Sequence, residues 1–336
     1  MRGNEKDLSI ETLRGLACLF LVLYHVIGPS GGGLKVPDDS IYRYINNTLV
    51  YIRMPLFTFL SGYVYALRPV DPSKIKSFLK GKFRRLYLPI IFVGIPFGII
   101  QYFAPGANNP QDDWWGAFAV LYRSQNHFWF LQSLIVIFLL ITIFELLNFF
   151  ENIKKFAFIL AISFVIFLTG VASYSFFSLY GAGYLLPFFL LGMGFKRYPI
   201  CMQFIRGKGF YYVIILFFIS ILLNQLAMND LLDLDMSRKS PLSLFVGILS
   251  CTFLLSIGFK NMVLCWIGMY SFTIYLFHTF FTGFSRLIVS YANVDALWIY
   301  VLVGLLLGIF VPILLNIFVI SKSKVLSFMF LGKSLK

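Results

Sequence analysis

Charge is scarce in this chain. Asp, Glu, Lys and Arg together make up 12% of it, about half of what a soluble domain carries. A soluble protein of this length needs a broad polar surface, and too few polar residues are present to build one. Cysteine is equally sparse. The four cysteines, Cys18, Cys201, Cys251 and Cys265, form no C-x-x-C pair and sit in or beside apolar stretches, which excludes a disulfide framework and a thiolate metal site. They read as small apolar packing residues. Histidine occurs three times. No low-complexity tract, heptad pattern or internal repeat is visible, and no nucleic-acid motif accompanies the basic residues.

What is present is apolar surface. Hydrophobic residues account for 59% of the sequence, with 40 Phe and 19 Tyr. A lipid-spanning helix needs about 20 mostly apolar residues. Ten stretches meet or approach that length: 8–28, 46–66, 86–103, 128–147, 156–172, 179–195, 210–228, 242–259, 262–284 and 297–320. A Ser/Tyr/Gly-rich hinge, Ala172 to Gly183, divides the fifth from the sixth. The fold class expected is therefore all-α, a polytopic membrane protein of about ten transmembrane helices. It forms a single membrane-embedded domain over residues 1–336, without an appended soluble domain.

The net charge of +14 is topogenic in this reading. With ten spans, most basic residues collect in alternate loops: Arg2 and Lys6, the run Arg68 to Arg85, Lys154 and Lys155, Lys196 to Lys208, Lys260, and Lys322 to Lys336. The intervening loops hold acids such as Asp38, Asp112, Asp233 and Asp295. The positive-inside rule then puts both termini in the cytoplasm. The first span carries Glu11 and Arg14 and lacks an A-x-A site, so it reads as a retained helix and not as a cleaved leader.

All three histidines, His25, His127 and His278, fall inside or at the edge of apolar spans. An ionisable group at membrane depth is expensive and normally faces a partner or a water-filled cavity. Arg14 and His25 differ by about 20° around one helix and lie about 16 Å apart along it. Glu11 stands three residues before Arg14, the spacing at which carboxylate and guanidinium meet. An imidazole placed above an anchored cation suits a general base reached by a ligand whose anionic part stays at the membrane face. Lys82, Arg84 and Arg85 occupy the start of the helix that leads to Pro89. Such a cluster binds phosphates, arginine bidentately; it also serves simply to hold its loop in the cytoplasm. Arg53 is a further cation within a span. Ser61, Trp129 and Tyr275 are polar punctuation that serves helix packing or the membrane interface equally well.

Taken in order, these segments resemble the acyltransferase-3 family of integral-membrane polysaccharide O-acyltransferases. The first-helix signature, a carboxylate, Arg-Gly and a histidine ten residues on, reads here as Glu11, Arg14-Gly15 and His25. Met54-Pro55-Leu56-Phe57-Thr58-Phe59-Leu60-Ser61-Gly62-Tyr63 is similar to the family's second-span run. Lys82-Phe83-Arg84-Arg85 before Pro89, His127-Phe128-Trp129-Phe130-Leu131, Pro187 to Gly192, and Ser271 to His278 follow in register. Two positions depart from the pattern: Glu11 replaces the usual aspartate, and Lys82 replaces the first arginine of an Arg-x-x-Arg pair.

The resemblance implies transfer of an acyl group, usually acetyl from acetyl-CoA, to a sugar hydroxyl of a bacterial surface polysaccharide or its lipid-linked precursor, at the inner membrane. Acetyl-CoA would be a substrate, with no permanently bound cofactor and no metal. On this chain His25 would be the catalytic base or a transient acyl acceptor, supported by Arg14 and Glu11. Lys82, Arg84 and Arg85 would hold the donor, and Ser61, His127, Trp129, Tyr275 and His278 would contribute to substrate binding. The partners expected are acetyl-CoA, the polysaccharide or lipid-linked oligosaccharide, and membrane lipids, with no nucleic acid. The alternative is a polysaccharide flippase or proton-coupled carrier, which would call for polar residues along a pathway and paired repeats.

Overall fold

The computed structural model describes residues 7–29, 32–104, 113–171, 174–293 and 295–335. Arg2, Lys6, Asp112, Ala172 and Lys336, invoked above, lie outside them. The chain is all-helical. The helices are α1 (Leu8–Ile27), α2 (Ile41–Thr48), α3 (Arg53–Leu67), α4 (Ile75–Pro89), α5 (Ile95–Phe103), α6 (Trp129–Leu146), α7 (Ile153–Thr169) and α8 (Leu179–Arg197). There follow α9 (Pro199–Arg206), α10 (Phe210–Met228), α11 (Pro241–Ile257), α12 (Met262–Met269), α13 (Ser271–Tyr291), α14 (Leu297–Phe318) and α15 (Lys324–Leu331). No strand occurs among the described residues, only a lone antiparallel bridge between Arg123 and Phe176.

Among the described residues, seven helices, or continuous runs of helices, are long and apolar enough to cross a membrane, and eight if the bent pair α11 and α12 is one span. The other two of the ten expected stretches fold as α7 and α8. The first has 17 residues; the second is diluted by glycines, Pro187, Lys196 and Arg197. Its residues are buried nearly all round, so α8 is surrounded by protein and needs little lipophilicity of its own. By contrast α10 turns Tyr211, Tyr212, Phe218 and Leu222 outward, the apolar belt of a helix that faces hydrocarbon.

Two expectations are corrected. The ninth stretch, 262–284, is not one helix. Gly258 takes a left-handed φ of +63° and ends α11, and Asn261 caps α12, which runs at 118° to α11. A second break at Tyr270 then starts α13. The basic stretch 68–85 is also mostly helix and not loop: Asp71 caps a single 3-10 turn and α4 continues through a π-helical turn at Ile90–Gly94 into α5. Pro89 removes one backbone donor at that junction, which accounts for the wider turn.

Helices in lipid associate through close backbone approach, which small residues permit. α3 packs most extensively on α8, and α1 on α12. A Cβ on Gly62 would lie 1.9 Å from the Phe189 carbonyl oxygen, and one on Gly192 equally close to that of Phe59. The same reciprocity joins Gly15 to the Leu264 oxygen and Gly268 to the Glu11 oxygen, each at 1.9 Å. The first helix is the central rod, touching α3, α12, α13 and α14. Asp7 caps it by accepting from the Ser9 amide, and Gly28, at φ +80°, ends it one turn past His25.

A three-imidazole site at the end of the first helix

The three histidines converge. The His25 ring centroid lies 4.7 Å from that of His278 and 6.2 Å from that of His127, and those two are 5.2 Å apart. Each arrives on a different element: His25 in the last turn of α1, His127 in the 3-10 turn Asn126–Phe128 that opens α6, and His278 in the second turn of α13.

The backbone assigns two of the tautomers. Nδ1 of His278 is 2.9 Å from the carbonyl oxygens of both Ile274 and Tyr275. Carbonyls only accept, so Nδ1 carries the hydrogen and Nε2 is left with its lone pair. That Nε2 is fully buried and has no hydrogen-bond partner among the described residues. In His127 the roles are reversed. Nε2 is 3.3 Å from the Leu276 oxygen and donates, while Nδ1 accepts from the Thr279 hydroxyl at 3.4 Å. The Tyr275 hydroxyl donates to the His127 carbonyl oxygen, tying α13 to the opening of α6.

His25 and His127 line a cavity of about 1190 Å³, together with Trp129, Tyr24, Tyr275 and Phe97. This exceeds the usual volume of a small-molecule site and accommodates more than one sugar ring. His278 is entirely buried and meets the cavity through the other two rings. Among the described residues no group of three or more His, Cys, Asp or Glu side chains is placed to hold a metal ion.

The remaining expected site residues lie elsewhere. Glu11 and Arg14 pair at 2.9 Å, as their spacing predicts, at the opposite end of α1, and neither lines the cavity. Ser61 donates back to the Phe57 carbonyl at 2.9 Å within its own helix. The Lys82 ammonium sits 3.7 Å over the Phe138 ring, Arg84 donates to the Gly332 carbonyl at 2.7 Å, and Arg85 is exposed. Arg84 also lines a cleft of about 400 Å³ against α15. This basic cluster is thus brought together with the C-terminal helix and not with the imidazoles.

One cavity residue was not singled out for function in the sequence. Arg53, 3% exposed, reaches the cavity wall with its guanidinium 3.5 Å above the Tyr24 ring. The available signal was an arginine inside an apolar span with no acid one turn away, unlike Arg14 with Glu11.

The model of one family, described as an acyltransferase domain, matches residues 7–317. No curated protein and no solved structure matches the chain. The match runs from the cap of α1 to the last turn of α14 and takes in all three histidines and the basic cluster on α4. With membrane-length helices along its whole extent, this multi-pass membrane protein belongs to the acyltransferase-3 family.

Proposed function

We propose that this chain is a membrane O-acyltransferase that moves acetyl from acetyl-CoA to a sugar hydroxyl of a bacterial surface polysaccharide or its lipid-linked precursor. The observation that carries this reading is the imidazole cluster at the wall of a sugar-sized, aromatic-lined cavity. His25 takes the acceptor hydroxyl proton as the oxygen attacks the thioester carbonyl. The C–S bond then breaks, and the imidazolium returns the proton to the departing CoA thiolate. A hydroxyl needs such a positioned base at neutral pH. His278 Nε2, a pure acceptor with no partner among the described residues, lies on the ring next to His25. A turn of the His25 ring on substrate binding would let it take the His25 N–H and aim the other His25 nitrogen at the substrate, the role an orienting partner plays for a catalytic imidazole.

In this reading ten segments cross the bacterial inner membrane, counting α7, α8 and α11, with both ends cytoplasmic. The segregation of basic residues supports that orientation. Lys82, Arg84 and Arg85 hold the donor's phosphates at the cytoplasmic face. Glu11 and Arg14 keep the first helix in place below the base. The test is mass spectrometry of surface polysaccharide from cells with and without the gene, joined to an assay of acetyl release from acetyl-CoA by the purified protein. Unchanged polysaccharide and no acetyl release would remove the reading.

A further inference from the structure

The cavity wall has a charge pattern that acyl transfer to a neutral sugar does not call for. Besides the imidazoles it includes Arg53, Lys35, Arg238 and Arg286, and among the described residues it includes no Asp or Glu. None of the four cations forms an ion pair with a described residue. Arg43 shows what a structural arginine looks like in the same neighbourhood. It is paired with Asp38 at 3.2 Å and donates to the Gly28 and Val36 carbonyls.

Arg53 is buried just as deeply but has far less to hold it. It donates to Asn46 Oδ1 at a long 3.4 Å and stacks on Tyr24, whose ring is 5.0 Å from that of His25. A buried charge without a counter-charge is strongly unfavourable, and arginine's fork is built to take two oxygens of a carboxylate or phosphate. We infer that Arg53, with Lys35, Arg238 and Arg286 around it, forms an anion subsite beside the imidazoles, and that the acceptor is an anionic glycan. This rests on the acyltransfer reading above and names its substrate class. The anion is either the carboxylate of an acidic sugar or the phosphate of a lipid carrier, both of which present two oxygens to the fork. It is held one aromatic ring away from the base, and so places a hydroxyl of the same molecule at His25.

The test measures binding to the purified full chain in detergent, using glucuronate, inorganic diphosphate, glucose and adenosine 3′,5′-bisphosphate as probes. Glucuronate or diphosphate should bind, more weakly as salt rises, and glucose should not. Binding of glucuronate alone identifies an acidic sugar; binding of diphosphate alone identifies a phosphorylated carrier. Arg53→Gln should weaken the bound anion about tenfold or more. Arg238→Gln, at an exposed position where folding is not at risk, should weaken it severalfold. Absence of binding by both anions overturns the subsite, as does wild-type affinity in both variants. Tighter binding of the bisphosphate than of diphosphate, lost in Arg53→Gln, would assign the cations to the donor and overturn the acceptor assignment. His25→Ala should retain anion binding, so a failure of acetyl transfer alone would count against the chemistry and leave the subsite standing.

Discussion

His25 and His278 stand edge to edge, ring centroids 4.7 Å apart, and only one of them reaches the cavity. Their division of labour is testable by shape. In His278→Gln the amide oxygen can occupy the place of Nε2, whereas in His278→Asn the amide reaches only as far as Nδ1. His25→Ala should lower acetylation by about 10²- to 10⁴-fold, the usual worth of a positioned base. His278→Asn should lower kcat with little change in KM for acetyl-CoA, and His278→Gln should recover part of that loss. Equal rates for the two His278 variants would remove the orienting role.

Tyr275→Phe deletes one buried donor and leaves the His127 carbonyl without it. That carbonyl keeps the Trp129 backbone amide as a donor, so the loss is one buried hydrogen bond, about 0.5–1.5 kcal/mol. Thermal unfolding of the purified variant should therefore shift downward. Acetylation per folded molecule should fall as well, because the tie between α13 and the turn that carries His127 is lost. A melting temperature equal to wild type would mean that water replaces the phenol.

Glu145 gathers two partners that the sequence leaves far apart. It accepts from the Arg197 guanidinium at 2.5 Å and from the Tyr65 hydroxyl at 3.1 Å, joining α6, α8 and α3. Glu145→Ala strands a half-buried guanidinium, which should destabilise the bundle by about 1–3 kcal/mol. A double-mutant cycle with Arg197→Ala reads the coupling directly. Strict additivity would show the pair to be solvent-screened.

The basic cluster on α4 divides by environment. Arg85 is exposed, and Arg85→Gln should weaken acetyl-CoA binding about tenfold with unchanged membrane abundance. Arg84 is engaged with Gly332, so Arg84→Gln should loosen α15 and show increased proteolysis near the C-terminus. Were both variants to bind acetyl-CoA as tightly as wild type, the cluster would be purely topogenic.

Orientation is checked with reporter tags. Tags near Arg68 and after Gly332 should read as cytoplasmic, and a tag near Asp233 as extracytoplasmic. A cytoplasmic signal at Asp233 would break the ten-span arrangement.

Much of this was legible because it is local. The Glu11–Arg14 pair follows from helical spacing alone, and three histidines in apolar surroundings announce themselves by their cost. Their convergence was not legible. His25, His127 and His278 belong to helices far apart in sequence, and no periodicity relates one helix to another. The break at Tyr270 was hidden for a related reason. Residues 262–284 carry no Asp, Glu, Lys, Arg or Pro, so hydropathy sees one span where the turn at Tyr270 and the packing of Gly268 on the first helix make two pieces. Arg53 was visible as an expensive residue, but its Tyr24 face and its cavity are tertiary facts.

The reciprocal glycine contact between α1 and α12 has a mechanical meaning. It clamps a rod near one end while the His25 imidazole rides near the other, ten residues beyond Gly15. Over that arm of about 15 Å, a tilt of about 4° at the clamp swings the ring by about 1 Å. Misalignment on that scale can cost about 10²-fold in rate. A methyl added at Gly15 or Gly268, well away from the cavity, meets backbone and forces the two helices apart, so it should detune the site as a bent sight detunes a rifle, by moving the aim and not the target.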